Sequence, residues 1–215
     1  TAELTIGLIL DVLRRISEGD RIIRDKKWNQ IFGAYDYTGT EVSGKTIGII
    51  GMGRIGREVA KKANGLGMKV IYHNRKPLSK KIEKTFRVKY VSENLLYTNS
   101  DIISLHVPYN KDTHHLMNSK IFKKMKNTSF LINTSRGKIV NEKQLITALK
   151  TKQIQGAGID VYEEEPIKKN NPLLKLENVV LAPHVGSSTK ETRQKMSNIT
   201  AKNLILGLQG KKLLY

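Results

Sequence analysis

Cysteine is absent from all 215 residues. That excludes disulfide staples and thiolate metal sites, and it is compatible with the cytoplasm, where the protein is expected to work. No apolar run reaches the roughly 18 residues of a membrane-spanning helix and no stretch reads as a signal peptide, so no membrane partner is expected. Acidic residues are in short supply, 19 against 38 Lys and Arg, for a formal net charge of +19. Such an excess raises the question of a nucleic-acid partner. The cations, however, recur as short doublets, Lys80-Lys81, Lys123-Lys124, Lys168-Lys169 and Lys211-Lys212, with no aromatic residues interleaved to stack on bases. The charge therefore reads as a solvated lysine surface, and neither nucleic acid nor metal is expected. Internal repeats and low-complexity tracts are also lacking.

The stretch that organises the chain is Gly44 to Lys62, GKTIGIIGMGRIGREVAKK. Thr46, Ile47, Ile49 and Ile50 form a short β-branched run suited to a strand buried on both faces. Gly51, Gly53 and Gly56 follow at once, and then Ile55, Val59, Ala60 and Ala63 recur at helical spacing. Strand, glycine turn and helix is the order of a dinucleotide site, because the new helix points unpaired N–H groups and its positive dipole end at a pyrophosphate. Gly51 would make the tight turn, Gly53 would let backbone approach the phosphates, and Gly56 would let the helix pack closely on the strand.

Ahead of this motif, Thr1 to Ile16 carries apolar residues almost all round a helix, which therefore expects cover on more than one face. Glu18-Gly19-Asp20 is expected to end it. Arg21 to Val42, with Trp28, Phe32, Tyr35 and Tyr37, reads as an extended arm that packs rather than catalyses. From Thr46 the chain alternates strand and helix. Strands are expected at Lys69–His73, Arg87–Val91, Asp101–Leu105, Ser129–Asn133, Gly156–Val161 and Asn178–Leu181, and helices near Asn118–Lys124, Glu142–Thr151 and Thr189–Leu206. The fold class is thus α/β, a Rossmann-type doubly wound parallel sheet with its ligands beyond the carboxyl ends of the strands. Residues 1–43 read as an interdomain helix and arm, 44–186 as the NAD(P)-binding domain, and 187–215 as a C-terminal helix.

In such folds an Asp or Glu about 20 residues after the glycines usually holds the adenosine ribose hydroxyls. Here the place reads His73-Asn74-Arg75-Lys76. Asn74 removes the carboxylate that would repel a 2′-phosphate, and Arg75 and Lys76 add charge-assisted donors, which favours NADP(H) while NAD(H) stays open.

Three further strand ends carry polar residues that an apolar core would not want: Asn133-Thr134-Ser135-Arg136-Gly137, Asp160-Val161-Tyr162-Glu163-Glu164-Glu165-Pro166 and Ala182-Pro183-His184-Val185-Gly186. A Ser-His-Asp reading of Ser135, His184 and Asp160 lacks a nucleophile elbow. The ordered blocks TAELTIGLIL, GMGRIG, HVP, INTSRG, GAGIDVYEEEP and APHVGSST resemble the D-isomer-specific 2-hydroxyacid dehydrogenases over essentially the whole chain. That resemblance implies hydride transfer between a nicotinamide and a small 2-oxo acid, with the catalytic arginine, glutamate and histidine falling on Arg136, Glu165 and His184. A guanidinium fork matches the planar carboxylate of a 2-oxo acid, an imidazole can give and regain a proton near neutrality, and a carboxylate can orient that imidazole. The residues alone do not choose among Glu163, Glu164 and Glu165; the resemblance selects Glu165. By the same carry-over Arg54 and Ile55 lie over the pyrophosphate, and Val107 and Pro108 line the adenosine side. Thr134 and Asp160 approach the nicotinamide end, Arg136, His184 and Gly186 also face the cofactor, and Thr113 matches a further family position. His73, His106, His114 and His115 read as structural or cofactor-adjacent.

The resemblance also implies a substrate-side domain contributed largely by residues ahead of the first helix. Thr1 is not preceded by an initiator Met, so the chain is expected to be the later part of a longer protein, its last helix packing back towards that domain. Family members dimerise through the cofactor domain, which would bury the apolar first helix and the Trp28 arm. The nucleotide-binding text looks most like the glyoxylate and hydroxypyruvate reductase branch. The alternative within the same fold is a nucleotide-sensing corepressor.

Overall fold

A computed structural model describes residues 1–28, 31–33 and 36–214. Two helices lead, α1 (Ala2–Arg14) and α2 (Ile16–Arg24). Strand and helix then alternate through β1 (Thr46–Ile50), α3 (Arg54–Gly65), β2 (Lys69–His73), α4 (Lys80–Phe86), β3 (Val88–Tyr90), α5 (Glu93–Asn99) and β4 (Ile102–Leu105). The second half runs α6 (Ser119–Phe122), β5 (Phe130–Asn133), α7 (Glu142–Lys150), β6 (Gly156–Ile159), β7 (Val179–Leu181) and α8 (Lys190–Leu208).

The strands form one parallel sheet in the order β3-β2-β1-β4-β5-β6-β7. From β1 the chain steps outward to β3, returns beside β1 as β4, and steps the other way to β7. That reversal opens a crevice at the carboxyl ends of β1 and β4, where a Rossmann-type fold binds its ligand. Every residue of β4, β5 and β6 is buried, which is why these strands read as continuous apolar runs rather than alternating ones. Leu8, Ile9, Val59, Ala60 and Tyr72 pack on one face of the sheet, and Leu96, Phe122, Leu145 and Leu149 on the other. α1 is built into the first of these layers, resting on β5, β6, β7 and α3.

The first helix does not end where the sequence suggests. It stops at Arg15, whose φ of 57° and ψ of 37° are left-handed, and α2 then runs straight through Glu18-Gly19-Asp20. Tertiary partners hold this break. The Arg15 guanidinium donates to both Glu18 carboxylate oxygens at 2.6 and 2.8 Å, and the Tyr37 hydroxyl donates to the Arg15 carbonyl at 3.1 Å. Gly19 lies against the Tyr37 ring, which would be in ordinary contact, at 3.6 Å, with a Cβ there. The extended arm accordingly begins after Arg24, not at Arg21. Within it Trp28, Phe32 and Tyr37 stack in succession, with centroids 6.4 and 5.4 Å apart. Tyr35 lies outside the described residues. α4 and α5, not anticipated from the sequence, are short helices capped by Ser79 and Ser92.

α8 buries none of its residues, and Met196, Leu204, Ile205 and Leu208 are 49–82% exposed along it. Among the described residues no helix is long and apolar enough to cross a membrane.

Candidate active site

The glycine turn has the geometry a pyrophosphate requires. Gly51 sits at φ 99°, and a Cβ there would lie 2.6 Å from the His106 carbonyl, so both its dihedral and its neighbour exclude a side chain. A Cβ on Gly56 would fall 2.3 Å from the Gly51 carbonyl oxygen, which is what lets α3 start directly against the turn. Gly53, the N-cap of α3, faces open space, with nothing within 4 Å of where its Cβ would be. No side chain caps α3, so its leading N–H groups around Arg54 and Ile55 are free to meet an anion. Val107 approaches the turn closely, its Cγ1 2.9 Å from the position of a Gly51 Cβ. These residues fit a dinucleotide.

Asn74 is tied into the same turn: its Oδ1 accepts the Met52 N–H at 2.7 Å. Its oxygen is therefore committed and its amide donors are what it has left to offer, while Arg75 and Lys76 beside it are exposed. Pro108 and Thr113 belong to one loop. The Thr113 hydroxyl donates to the Pro108 carbonyl at 2.8 Å and accepts the Asn110 N–H at 2.8 Å. Beneath the turn, the His106 Nε2 lies 2.8 Å from the Ser104 hydroxyl, and burial pushes this imidazole down to about 4, so it is neutral at physiological pH.

The polar residues after β5, β6 and β7 converge on the same carboxyl edge of the sheet. Asn133, at the end of β5, shapes the first loop, its amide donating to the Arg136 carbonyl at 2.9 Å and its Oδ1 accepting from Ser135. Gly137 then passes so close to the second loop that a Cβ would lie 1.8 Å from the Tyr162 carbonyl oxygen. That contact sets the exposed Arg136 beside the segment bearing Glu165. Glu165 Oε1 accepts the Tyr162 N–H at 2.9 Å, and Oε2 lies 2.6 Å from His184 Nδ1. Burial pushes the Glu165 carboxyl up, but His184, the Tyr162 N–H and the Arg136 charge together outweigh it and hold the group below the usual carboxylate range. His184 itself has φ 54°, a left-handed conformation that a non-glycine residue keeps only when its surroundings impose it.

Asp160 imposes it. This fully buried carboxylate accepts the Val185 N–H at 2.8 Å through Oδ1 and the Gly186 N–H at 2.9 Å through Oδ2. The buried Tyr162 hydroxyl adds a second strut, donating to the Ala182 carbonyl at 2.9 Å; burial and the neighbouring Asp160, Glu142 and Glu165 charges raise this phenol to about 12. With Nδ1 on Glu165, His184 Nε2 has no partner among the described residues and is the ring atom left for a reactant. Thr134 is buried, its hydroxyl 2.9 Å from that of Thr5 on α1. The structure thus brings Arg136, Glu165 and His184 together and sets Asp160 and Gly186 directly behind them.

Residues 6–186 match the family model described as D-isomer specific 2-hydroxyacid dehydrogenase, NAD binding domain. The chain belongs to the D-isomer specific 2-hydroxyacid dehydrogenase family. It is 46% identical over 216 residues to a glyoxylate reductase of Thermofilum pendens, covering 97% of this chain and 62% of that protein. The glyoxylate reductase structure from Paecilomyes thermophila superposes with a TM-score of 0.90 at 37% identity, over 99% of this chain and 63% of that one. An acyclic imino acid reductase solved with NADPH and D-Arg does so with a TM-score of 0.86 at 36% identity, over 99% and 66%. The chain spans less than two thirds of the length of the curated relatives it matches. As a member of this family it is a nicotinamide-cofactor domain.

The site also holds residues whose roles sequence reasoning did not separate. Glu163, two positions before Glu165, lies 2.6 Å from His115, and the intervening Glu164 pairs with Lys168 at the surface.

Proposed function

We propose that the chain is the cofactor-binding part of a cytoplasmic, homodimeric reductase that passes a hydride from NADPH to glyoxylate, hydroxypyruvate or a similarly small 2-oxo acid. The observation that carries this reading is the 2.6 Å pair of Glu165 and His184 beside Arg136, on the same sheet edge as the glycine turn. Relatives named glyoxylate reductase support the substrate class.

In this reading the α3 N-terminus with Gly51, Gly53, Gly56, Arg54 and Ile55 holds the pyrophosphate, and Val107, Pro108 and Thr113 border the adenosine. Asn74, Arg75 and Lys76 take the 2′-phosphate. An amide whose oxygen is already spent on Met52 presents donors to that group, which suits phosphate oxygens. Gly186 borders the nicotinamide, with the buried Thr134 and Asp160 behind it rather than against the ring. Reduced nicotinamide, when bound, supplies the hydride. Arg136 grips the substrate carboxylate through its planar fork. His184 Nε2–H donates to the oxygen of the carbonyl being reduced and gives it the proton as negative charge builds there, while Glu165 fixes the tautomer and supports the imidazolium.

Ile16, Ile23, Trp28, Ile31 and Phe32 are exposed on α2 and the arm, which supports a homodimer formed through that surface. The bare apolar residues of α8 support its packing against a substrate-side domain. The test is the nicotinamide absorbance of NADPH mixed with the full-length protein and glyoxylate. Its decay supports the reading, and a flat trace with every small 2-oxo acid removes it.

A further inference from the structure

We propose that His115 and Glu163 form a clamp that positions the segment carrying Glu165, making them positioning residues for the reaction; this rests on the function proposed above. The three consecutive glutamates have three different fates. Glu165 faces His184, Glu164 meets Lys168 at the surface with both side chains more than 60% exposed, and Glu163 turns inward. Its Oε1 lies 2.6 Å from His115 Nε2 and also accepts the Glu142 N–H, the first of α7, at 3.2 Å. The Glu163 N–H returns a bond to Glu142 Oε2 at 3.2 Å, and Asn171 donates to the other Glu142 oxygen at 2.7 Å.

The histidine is held as firmly on its other side. The Asn141 amide lies 3.3 Å from its Nδ1, so one neutral tautomer, with the proton on Nε2, satisfies both neighbours. Its backbone N–H donates to the Lys138 carbonyl at 2.9 Å, and Met117 pairs with the 139–141 backbone just beyond, in a short parallel bridge with Val140. The clamp therefore ties together three segments: the one after Arg136, the one before Glu165, and the loop around His115. Glu163 and Glu165 flank one short turn whose Tyr162 N–H already fixes Glu165. If Glu163 releases, the carboxylate that orients His184 loses its footing, although nothing in the clamp touches a reactant.

Single and double variants of the full-length protein test this. Glu163→Ala and His115→Ala are expected to lower kcat for glyoxylate about tenfold to hundredfold, the scale on which sub-ångström misplacement acts, with the KM and the NADPH Kd from fluorescence titration within about twofold. The double variant is expected to be no slower than the slower single one, because one contact is lost only once. Glu163→Gln keeps an acceptor oxygen for both donors and is expected to rescue most of kcat, which also guards against a mere folding defect. Amide hydrogen exchange across 162–166 is expected to quicken in both alanine variants. Unchanged kcat in Glu163→Ala, a rise confined to KM, or additive losses would overturn the clamp. If the wild-type protein reduces no 2-oxo acid, the functional reading fails separately, and exchange decides: unaltered rates across 162–166 overturn the clamp as well.

Discussion

Replacing Asp160 with Asn changes one atom and removes one charge at the point that forces His184 into its left-handed conformation. In the native protein the two carboxylate oxygens each accept a backbone N–H, from Val185 and from Gly186, in a site with no solvent exposure. An asparagine keeps one acceptor and turns its NH₂ towards the other N–H, so one charge-assisted bond is lost and one donor is left buried without a partner. A hydrogen bond to a charged group contributes about 1.5–3 kcal/mol and an orphaned buried donor costs about 1–3 kcal/mol, so a net loss of about 3 kcal/mol is expected. For a chain of this size that is roughly 6–12 °C in Tm, read by calorimetry or by circular dichroism on the isolated chain. In the full-length protein the same substitution is expected to lower kcat, because His184 loses its imposed dihedral, while His184→Gly, which removes the strain together with the imidazole, leaves Tm within about 2 °C of the wild type or higher. Asp160→Asn with unchanged Tm and unchanged turnover would refute the reasoning.

Asn74→Asp keeps the acceptor for Met52 but sets a carboxylate against the ribose, and is expected to shift the ratio of NADPH to NADH efficiency towards NADH by about tenfold or more, measured as kcat/KM for each. Glu165 has a lowered pKa in the folded chain, so its stabilising contribution is complete above the ordinary glutamate value of 4.5 and fades as pH falls through the folded value. The stability difference between wild type and Glu165→Gln, from urea titrations at several pH values, is accordingly expected to shrink as the pH is lowered below about 5. Arg136→Lys replaces a fork with a point charge, and is expected to raise the KM for glyoxylate and lower kcat together by about a hundredfold in all, read by steady-state kinetics.

The central strands were legible because burial on both faces leaves short runs without a charged residue, as in Thr46–Ile50 and Phe130–Asn133. The glycine turn was legible as a local spacing of Gly51, Gly53 and Gly56, although only the closeness of Gly56 to the Gly51 carbonyl is a local constraint and Gly51 also answers to His106 and Val107, 55 and 56 positions on. The break at Arg15 was not, because it depends on Glu18 and on Tyr37, 22 positions away. Gly19, which looked like a stop signal, lies inside α2 against the ring of that tyrosine. α4 and α5 each carry a Ser N-cap that marked them, but at seven residues they lack the two turns of periodicity that a helical pattern needs. In the site, Arg136, Glu165 and His184 came from family text rather than from chemistry alone. The identity of Glu165 within a run of three acids depends on contacts to His184 and His115 that span 19 and 48 positions, which no local pattern encodes.

Everything functional turns on whether His184, oriented by Glu165, hands over a proton as the substrate is reduced. Stopped-flow absorbance of NADPH with glyoxylate, for the full-length wild type and His184→Ala, measures this directly. Loss of hydride transfer by about a thousandfold or more, with NADPH affinity kept within about twofold, is the result expected of a lost proton donor. Turnover by His184→Ala at the wild-type rate would contradict it.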